Sequence, residues 1–155
     1  MHTAIDAFPI HIPDADLTDL ADRLARTRWP DAETVNDTSQ GPQLARIRAL
    51  VERWQDGYDW RSTEAALNQW GSSRTVIDGL GIHFLHIRSP EPNATPLLLM
   101  HGWPGSLFEF IDIIPRLAAA GFTVVAPSLP GYGLSFEPGQ KRFGVSDIAD
   151  TMHSL

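Results

Sequence analysis

The sequence predicts an α/β protein in which a helical N-terminal segment, residues 1–71, precedes a sheet-forming segment, residues 72–155. Three observations carry that expectation. Leu97-Leu98-Leu99-Met100 is a run of large apolar residues, which suits a strand covered on both faces, as in parallel sheets flanked by helices. The run stops at Gly102-Trp103-Pro104-Gly105, a tight-turn signal, and Ser106 with Glu109 forms a capping-box pattern for a helix that follows. Near Gly71 the apolar period changes from that of a helix to that of a strand.

The elements follow in order. Asp14 can cap a helix whose Leu17, Leu20, Ala21 and Leu24 share one stripe, and Pro30 after Trp29 ends it. Beyond the polar residues 31–40, Pro42 suits the first turn of a second helix with Leu44, Ile47, Val51 and Trp54 on its apolar face. Asp59 can start a third helix carrying Ala66, Leu67 and Trp70. Such stripes are packing positions, and nothing ahead of Gly71 has catalytic spacing. Strands at 75–77 and 82–88 flank Asp78-Gly79, a hairpin signal, and residues 89–96, rich in proline, read as a loop. After the apolar run, residues 107–120 form a helix broken or kinked near Pro115, with Gly121 as its C-terminal cap. Residues 122–126 are the next strand, closed by Pro127, and Val145, Ile148, Met152 and Leu155 mark a last amphipathic helix.

Composition excludes several functions. At 155 residues the chain suits one domain, burying roughly two thirds of its unfolded surface. Hydrophobic residues at 43% and charged residues at 20% describe a soluble globular protein. A formal net charge of −7 argues against a nucleic-acid partner, which needs clustered Lys and Arg. Without cysteine there are no disulfides, thiolate zinc sites or Cys nucleophile. Residues 1–16 carry no basic segment followed by an apolar core, and no stretch approaches the ~18 apolar residues of a membrane span, so the expectation is a cytoplasmic location without a membrane partner. His83 and His86 point to opposite faces of a strand and lack the third ligand that zinc wants, so no metal is expected.

A strand end followed by a glycine-rich turn is where open α/β sheets place their chemistry. His101-Gly102-Trp103-Pro104 resembles the oxyanion loop of the α/β-hydrolase superfamily, in the form carried by epoxide hydrolases and haloalkane dehalogenases. Pro104 biases Trp103 toward an extended backbone, and the flanking glycines let a substrate oxygen approach the main chain. The resemblance then implies that the Trp103 backbone N–H meets a developing negative charge, a donor typically worth roughly 100- to 1000-fold in turnover. His101, Gly102 and Pro104 are read as structural parts of this loop, since a His base must reach a nucleophile. An ordinary strand-to-helix turn, in which Gly and Pro serve geometry alone, is the other reading of these residues.

Phe8-Pro9-Ile10-His11-Ile12-Pro13-Asp14, Arg23-Leu24, Thr27-Arg28-Trp29-Pro30, Tyr58-Asp59-Trp60-Arg61 with Leu67-Asn68, and Ile77-Asp78-Gly79-Leu80-Gly81-Ile82-His83-Phe84 resemble the N-terminal domain of microsomal-type epoxide hydrolases. Pro127-Ser128-Leu129-Pro130-Gly131-Tyr132-Gly133-Leu134-Ser135 is similar to the glycine-rich loop that epoxide hydrolases carry after their fourth strand. The resemblance implies an N-terminal epoxide-hydrolase-type segment, then the first strands and helices of an α/β-hydrolase fold with an incomplete sheet. It also implies hydrolysis of epoxides to diols. An Asp on a strand-to-helix elbow forms an ester, a His paired with an acid activates water, the oxyanion hole stabilises the intermediate, and two lid tyrosines polarise the epoxide.

A nucleophile elbow needs Gly two residues before and two after the Ser or Asp, and neither Ser106, Ser128, Ser135, Asp147 nor Asp150 meets that. Tyr58 and Tyr132 do not match the lid pair. The expectations are that this is the first part of an enzyme, inactive by itself, needing no cofactor and taking a small-molecule epoxide in its full-length context. The resemblance leaves the strand at 97–100 with an open edge, which favours self-association. Two rival readings stand beside it. One is a non-catalytic, self-associating or partner-binding fragment. The other is part of an esterase or haloalkane dehalogenase, enzymes that share the turn but generally lack the helical N-terminal segment.

Overall fold

The computed structural model describes residues 4–155; the first three of residues 1–16, which were expected to carry no basic segment followed by an apolar core, lie outside the described residues. Contacts divide the chain into two units, His11–Glu64 and Met1–Ile10 with Ala65–Leu155. That division falls inside a helix, ahead of the change of period at Gly71. Each unit is taken in turn.

The unit His11–Glu64 holds α1 (Asp14–Ala25), α2 (Leu44–Asp56) and the first turns of α3 (Trp60–Asn68). Asp14 does not cap α1. Pro13 occupies the cap position without a side-chain bond, and the Asp14 carboxylate in the first turn takes a hydrogen bond from Arg61 instead. α1 also stops short of Trp29, because the Thr27 hydroxyl donates to the Leu24 carbonyl at 2.7 Å and ends the ladder before Pro30 is reached. α2 starts beyond Pro42, at Leu44, whose N–H donates to the Glu33 carboxylate at 2.9 Å. This bond holds the Glu33 carboxyl below the usual carboxylate range and fastens the polar 31–40 stretch to a helix start. α3 begins as expected, with Asp59 accepting from the Ser62 N–H at 3.3 Å.

Glu64 is the buried clasp of this unit. It accepts the Ile12 N–H at 2.6 Å and the Trp60 indole N–H at 3.1 Å through one oxygen, and Arg61 at 2.6 Å through the other. Arg61 also donates to the Ile12 carbonyl at 2.7 Å. The bond from Ile12 is the main reason that the Glu64 carboxyl lies below its ordinary value. The run Tyr58-Asp59-Trp60-Arg61 is thus a fastening for residues 12–14. The apolar faces of α1 and α2 bury no residue fully and border a groove of about 760 Å³ with Leu17, Leu20, Leu24, Leu50 and Trp54 on its walls.

The other unit is built on a five-stranded sheet in the order β1 (Asp6–Ala7), β2 (Ser72–Ile77), β3 (Leu80–Ile87), β5 (Phe122–Pro127) and β4 (Thr95–Leu98). The first four are antiparallel neighbours and β4 runs parallel to β5. Asp78 and Gly79 close the β2–β3 hairpin with φ of 49° and 79°, the positive pair that a type I′ turn requires. β1 was not expected: two residues carry no periodicity, and the strand exists because Asp6 and Ala7 pair with Arg74 and Ser73, far away in sequence. Ile82, Leu85, Val124 and Ala126 on the central strands are fully buried, and Ile114 and Ala118 join the core. α5 (Val145–Ser154) brings Met152 against Leu80, Ile82 and Leu129.

Two expectations need correction. The apolar run is not covered on both faces: Leu98 is 40% and Met100 55% exposed, because β4 lies at the edge with β5 as its neighbour. It also begins earlier, at Thr95, inside the proline-rich stretch read as loop. The helix at 107–120 is really a 3-10 turn, Leu107–Phe110, and a separate α4 (Ile114–Ala119), with Pro115 in the first turn of α4 where its missing N–H has no partner to lose. Gly121, at φ +91°, closes α4 as expected. No helix among the described residues is long and apolar enough to cross a membrane.

Candidate functional site

The Leu99 N–H donates to the Val125 carbonyl at 2.9 Å, so the parallel ladder continues past Leu98 and releases the chain at the C-terminal end of the sheet. The turn that follows is held by its own small residues. A Cβ on Gly105 would come within 2.7 Å of the Gly102 carbonyl and closer still to the Glu109 carboxylate, so any side chain there would force the turn to shift. Glu109 accepts the Ser106 N–H at 3.1 Å while Ser106 Oγ accepts the Phe108 N–H at 3.3 Å, the reciprocal box read from the sequence. The Trp103–Pro104 peptide is cis, where the sequence suggested only an extended Trp103. The Trp103 side chain is 83% exposed, and its backbone N–H donates to no acceptor among the described residues. A Cβ on Gly102 would meet nothing within 4 Å, so this side of the turn is open to an approaching molecule.

His101 is buried beneath the turn. Its Nε2 accepts the Leu129 N–H at 3.1 Å, and Nδ1 lies 3.0 Å from the Gly102 carbonyl oxygen. A carbonyl only accepts, so Nδ1 carries the proton and the ring is the neutral Nδ1–H tautomer. Its edge meets the Tyr132 ring, with centroids 5.2 Å apart. Both nitrogens are committed, which leaves no lone pair for a base.

Leu129 belongs to the loop after β5, and that loop is itself hung on a second buried histidine. The Ser128 N–H donates to the His83 carbonyl at 2.9 Å, and the His83 N–H to Ser135 Oγ at 2.9 Å. Ser135 Oγ in turn donates to the Ser128 carbonyl at 2.7 Å. The His83 ring sits between the Ser72 hydroxyl, 2.5 Å from Nε2, and the Ser128 hydroxyl, 3.1 Å from Nδ1. Burial above all, and then Arg74, pushes the His83 imidazole down to about 4. Sequence reasoning weighed His83 only with His86 as a ligand pair. No group of three His, Cys, Asp or Glu able to hold a metal occurs among the described residues. The support that His83, Ser128 and Ser135 give the loop was missed. The available signal was the density of Ser, Pro and Gly between Pro127 and Ser135, which marks backbone approached closely by other groups.

Residues 5–110 match the family model described as the epoxide hydrolase N terminus, and residues 95–155 the model of the alpha/beta hydrolase fold. A Stigmatella aurantiaca protein, whose name provisionally assigns it as an epoxide hydrolase, is 51% identical over 97% of this chain and 36% of its own length. Juvenile hormone epoxide hydrolase 2 of Ctenocephalides felis is 36% identical over 99% of this chain and 35% of its own. Among solved structures, Aspergillus niger epoxide hydrolase superposes with a TM-score of 0.84 at 32% identity, over 97% of this chain and 42% of that one. The silkworm Bombyx mori juvenile hormone epoxide hydrolase gives 0.85 at 31% identity, over 99% and 43%. The chain therefore spans about a third of the length of the curated relatives it matches. With a family model matched over most of its residues and relatives this similar along nearly all of it, the chain belongs to the epoxide hydrolase family.

Proposed function

We propose that this chain contributes the oxyanion-binding turn of an epoxide hydrolase, with the Trp103 backbone N–H as donor, and that these 155 residues do not turn over epoxides alone. The observation that carries the reading is the Trp103 N–H, without an acceptor among the described residues, at an open strand end in a turn fixed by Gly105, Glu109 and His101. A donor held in place before charge develops needs no reorganisation when the tetrahedral intermediate of an enzyme ester forms, which is where such donors contribute roughly 100- to 1000-fold. The substrate class is a small-molecule epoxide. The nucleophilic Asp, the water-activating His and its acid are to come from residues outside this sequence, which holds no elbow pattern. An esterase or dehalogenase origin is disfavoured by the clasped helical unit His11–Glu64. The cysteine-free composition is compatible with the cytoplasmic location that we also propose.

The exposed edge of β4 favours a second reading, a module that associates with further copies of itself. One experiment separates the two. The chain alone, and a chimaera joining it to the remainder of the Stigmatella aurantiaca relative, are assayed for diol formation from styrene oxide. Activity of the chimaera and none of the chain is expected. Diol formation by the rigorously purified 155-residue chain, or a folded but inactive chimaera, rejects the proposal.

A further inference from the structure

We propose that His101 is the positioning residue of the oxyanion turn: its Nδ1–H fixes the plane of the Gly102–Trp103 peptide and so aims the Trp103 N–H. The carbonyl of Gly102 and the N–H of Trp103 belong to one peptide unit, which is planar and trans, so its C=O and N–H point in opposite directions. Nδ1–H holds that carbonyl from below at 3.0 Å. The N–H is thereby directed away from the buried ring. Without such a tether this peptide could rotate about its flanking bonds, since Gly102 restricts φ and ψ least of all residues.

The ring can serve as a tether because it is itself anchored. Nε2 accepts the Leu129 N–H at 3.1 Å, and the Tyr132 ring covers its edge. The Leu129 bond also selects the tautomer: it requires a bare Nε2, which puts the proton on Nδ1 where the Gly102 carbonyl needs it. A donor on that carbonyl polarises the whole peptide and makes its N–H a stronger donor in turn. The catalytic consequence rests on the reading of Trp103 as an oxyanion donor; the positioning itself does not.

The test is NMR on the 155-residue chain. A long-range proton–nitrogen spectrum at neutral pH is expected to show His101 protonated on Nδ1 alone. The Trp103 amide is expected to have the order parameter of rigid backbone, ~0.85, falling below ~0.6 in His101→Phe, which keeps a ring against Tyr132 but has no donor. His101→Asn, whose side-chain amide can reach the Gly102 carbonyl, is expected to restore most of that order. An Nε2–H or doubly protonated ring in the wild type overturns the proposal, and that measurement decides the matter if His101→Phe does not fold. A folded His101→Phe with an unchanged Trp103 amide overturns it too, as does an Asn variant no better ordered than Phe. An inactive chimaera whose Trp103 amide is nonetheless rigid would reject the donor reading and leave the positioning intact.

Discussion

The buried network around His83 makes the stability of this chain depend on mildly acidic pH. The imidazole is fully buried between the hydroxyls of Ser72 on β2 and Ser128 in the loop after β5. Arg74 on β2 is the charged group that faces it, and the Phe8 ring lies 5.5 Å away. Burial and Arg74 both oppose protonation and bring the folded value to about 4, against 6.5 when unfolded. The unfolded chain therefore binds the proton first. The stability associated with neutral His83 is fully present above pH 6.5, is lost as the pH falls, and has no more to lose below about 4. At ~1.4 kcal/mol per tenfold, the whole span is worth about 3 kcal/mol, of which about 2 kcal/mol is gone at pH 5. The window from pH 6.5 to 5 precedes the protonation of Glu33, Asp37 and Glu64, whose carboxyls are all held below their ordinary value. His86, also lowered by burial and then Arg88, is present in both proteins of the comparison and cancels. Urea unfolding followed by tryptophan fluorescence at pH 7 and pH 5 should show the wild type losing about 2 kcal/mol more than His83→Gln. Equal losses in the two proteins would refute the reasoning.

Three further outcomes are expected. Gly105→Ala drives a methyl to 2.7 Å from the Gly102 carbonyl and should cost about 1–3 kcal/mol by urea unfolding, whereas Glu109→Ala, which loses the capping box, should cost about 1 kcal/mol. Arg61→Ala unfastens Ile12, Asp14 and Glu64 together and should lower the thermal midpoint measurably, while Arg23→Ala, which removes only the exposed pair with Asp19, should leave it within error. Thr95 and Leu99 turn their N–H groups toward β5, which leaves those of Leu98 and Met100 facing outward and puts Pro96, with none, at the start of the same edge. Light scattering should therefore show association that rises with concentration and is reduced by Leu98→Lys; a monodisperse monomer at high concentration would refute this.

Local chemistry was legible wherever a short sequence closes on itself. The Asp78-Gly79 hairpin, the Ser106–Glu109 box and the Gly121 cap depend on neighbours within a few residues, and each occurs where the pattern put it. The stripe of α5 holds for Ile148, Met152 and Leu155 but not for Val145, which is exposed at the helix start. What the sequence concealed depends on distant partners. β1 exists through Arg74 and Ser73, the start of α2 is capped by Glu33 eleven positions earlier, and Asp14 is drawn from capping by Arg61. The apolar run at 97–100 misled for a related reason. Hydrophobicity records what a strand can be covered by, not which covers are contained in these residues. At the candidate site, Trp103, His101 and their turn were visible as a motif, but the support that His83 gives the neighbouring loop was not, since a His in an apolar strand gives no sign of which hydroxyls it will meet.

Those two histidines explain how the turn can be ordered without a nucleophile beside it. His83, fixed in β3, holds the Ser128–Ser135 loop through Ser128 and Ser135, and the loop then offers the Leu129 N–H that orients His101. Every bond in that chain lies within the unit that holds the sheet. Under the positioning we propose, the direction of the Trp103 N–H is set when that unit folds, and its cost is contained in the stability of the unit. That is the condition under which a hydrogen-bond donor lowers a barrier instead of consuming part of the gain in orienting itself. A donor organised by the nucleophile strand would carry no such order in these residues, so the rigidity of the Trp103 amide in this chain distinguishes a turn prepared in advance from one completed on assembly.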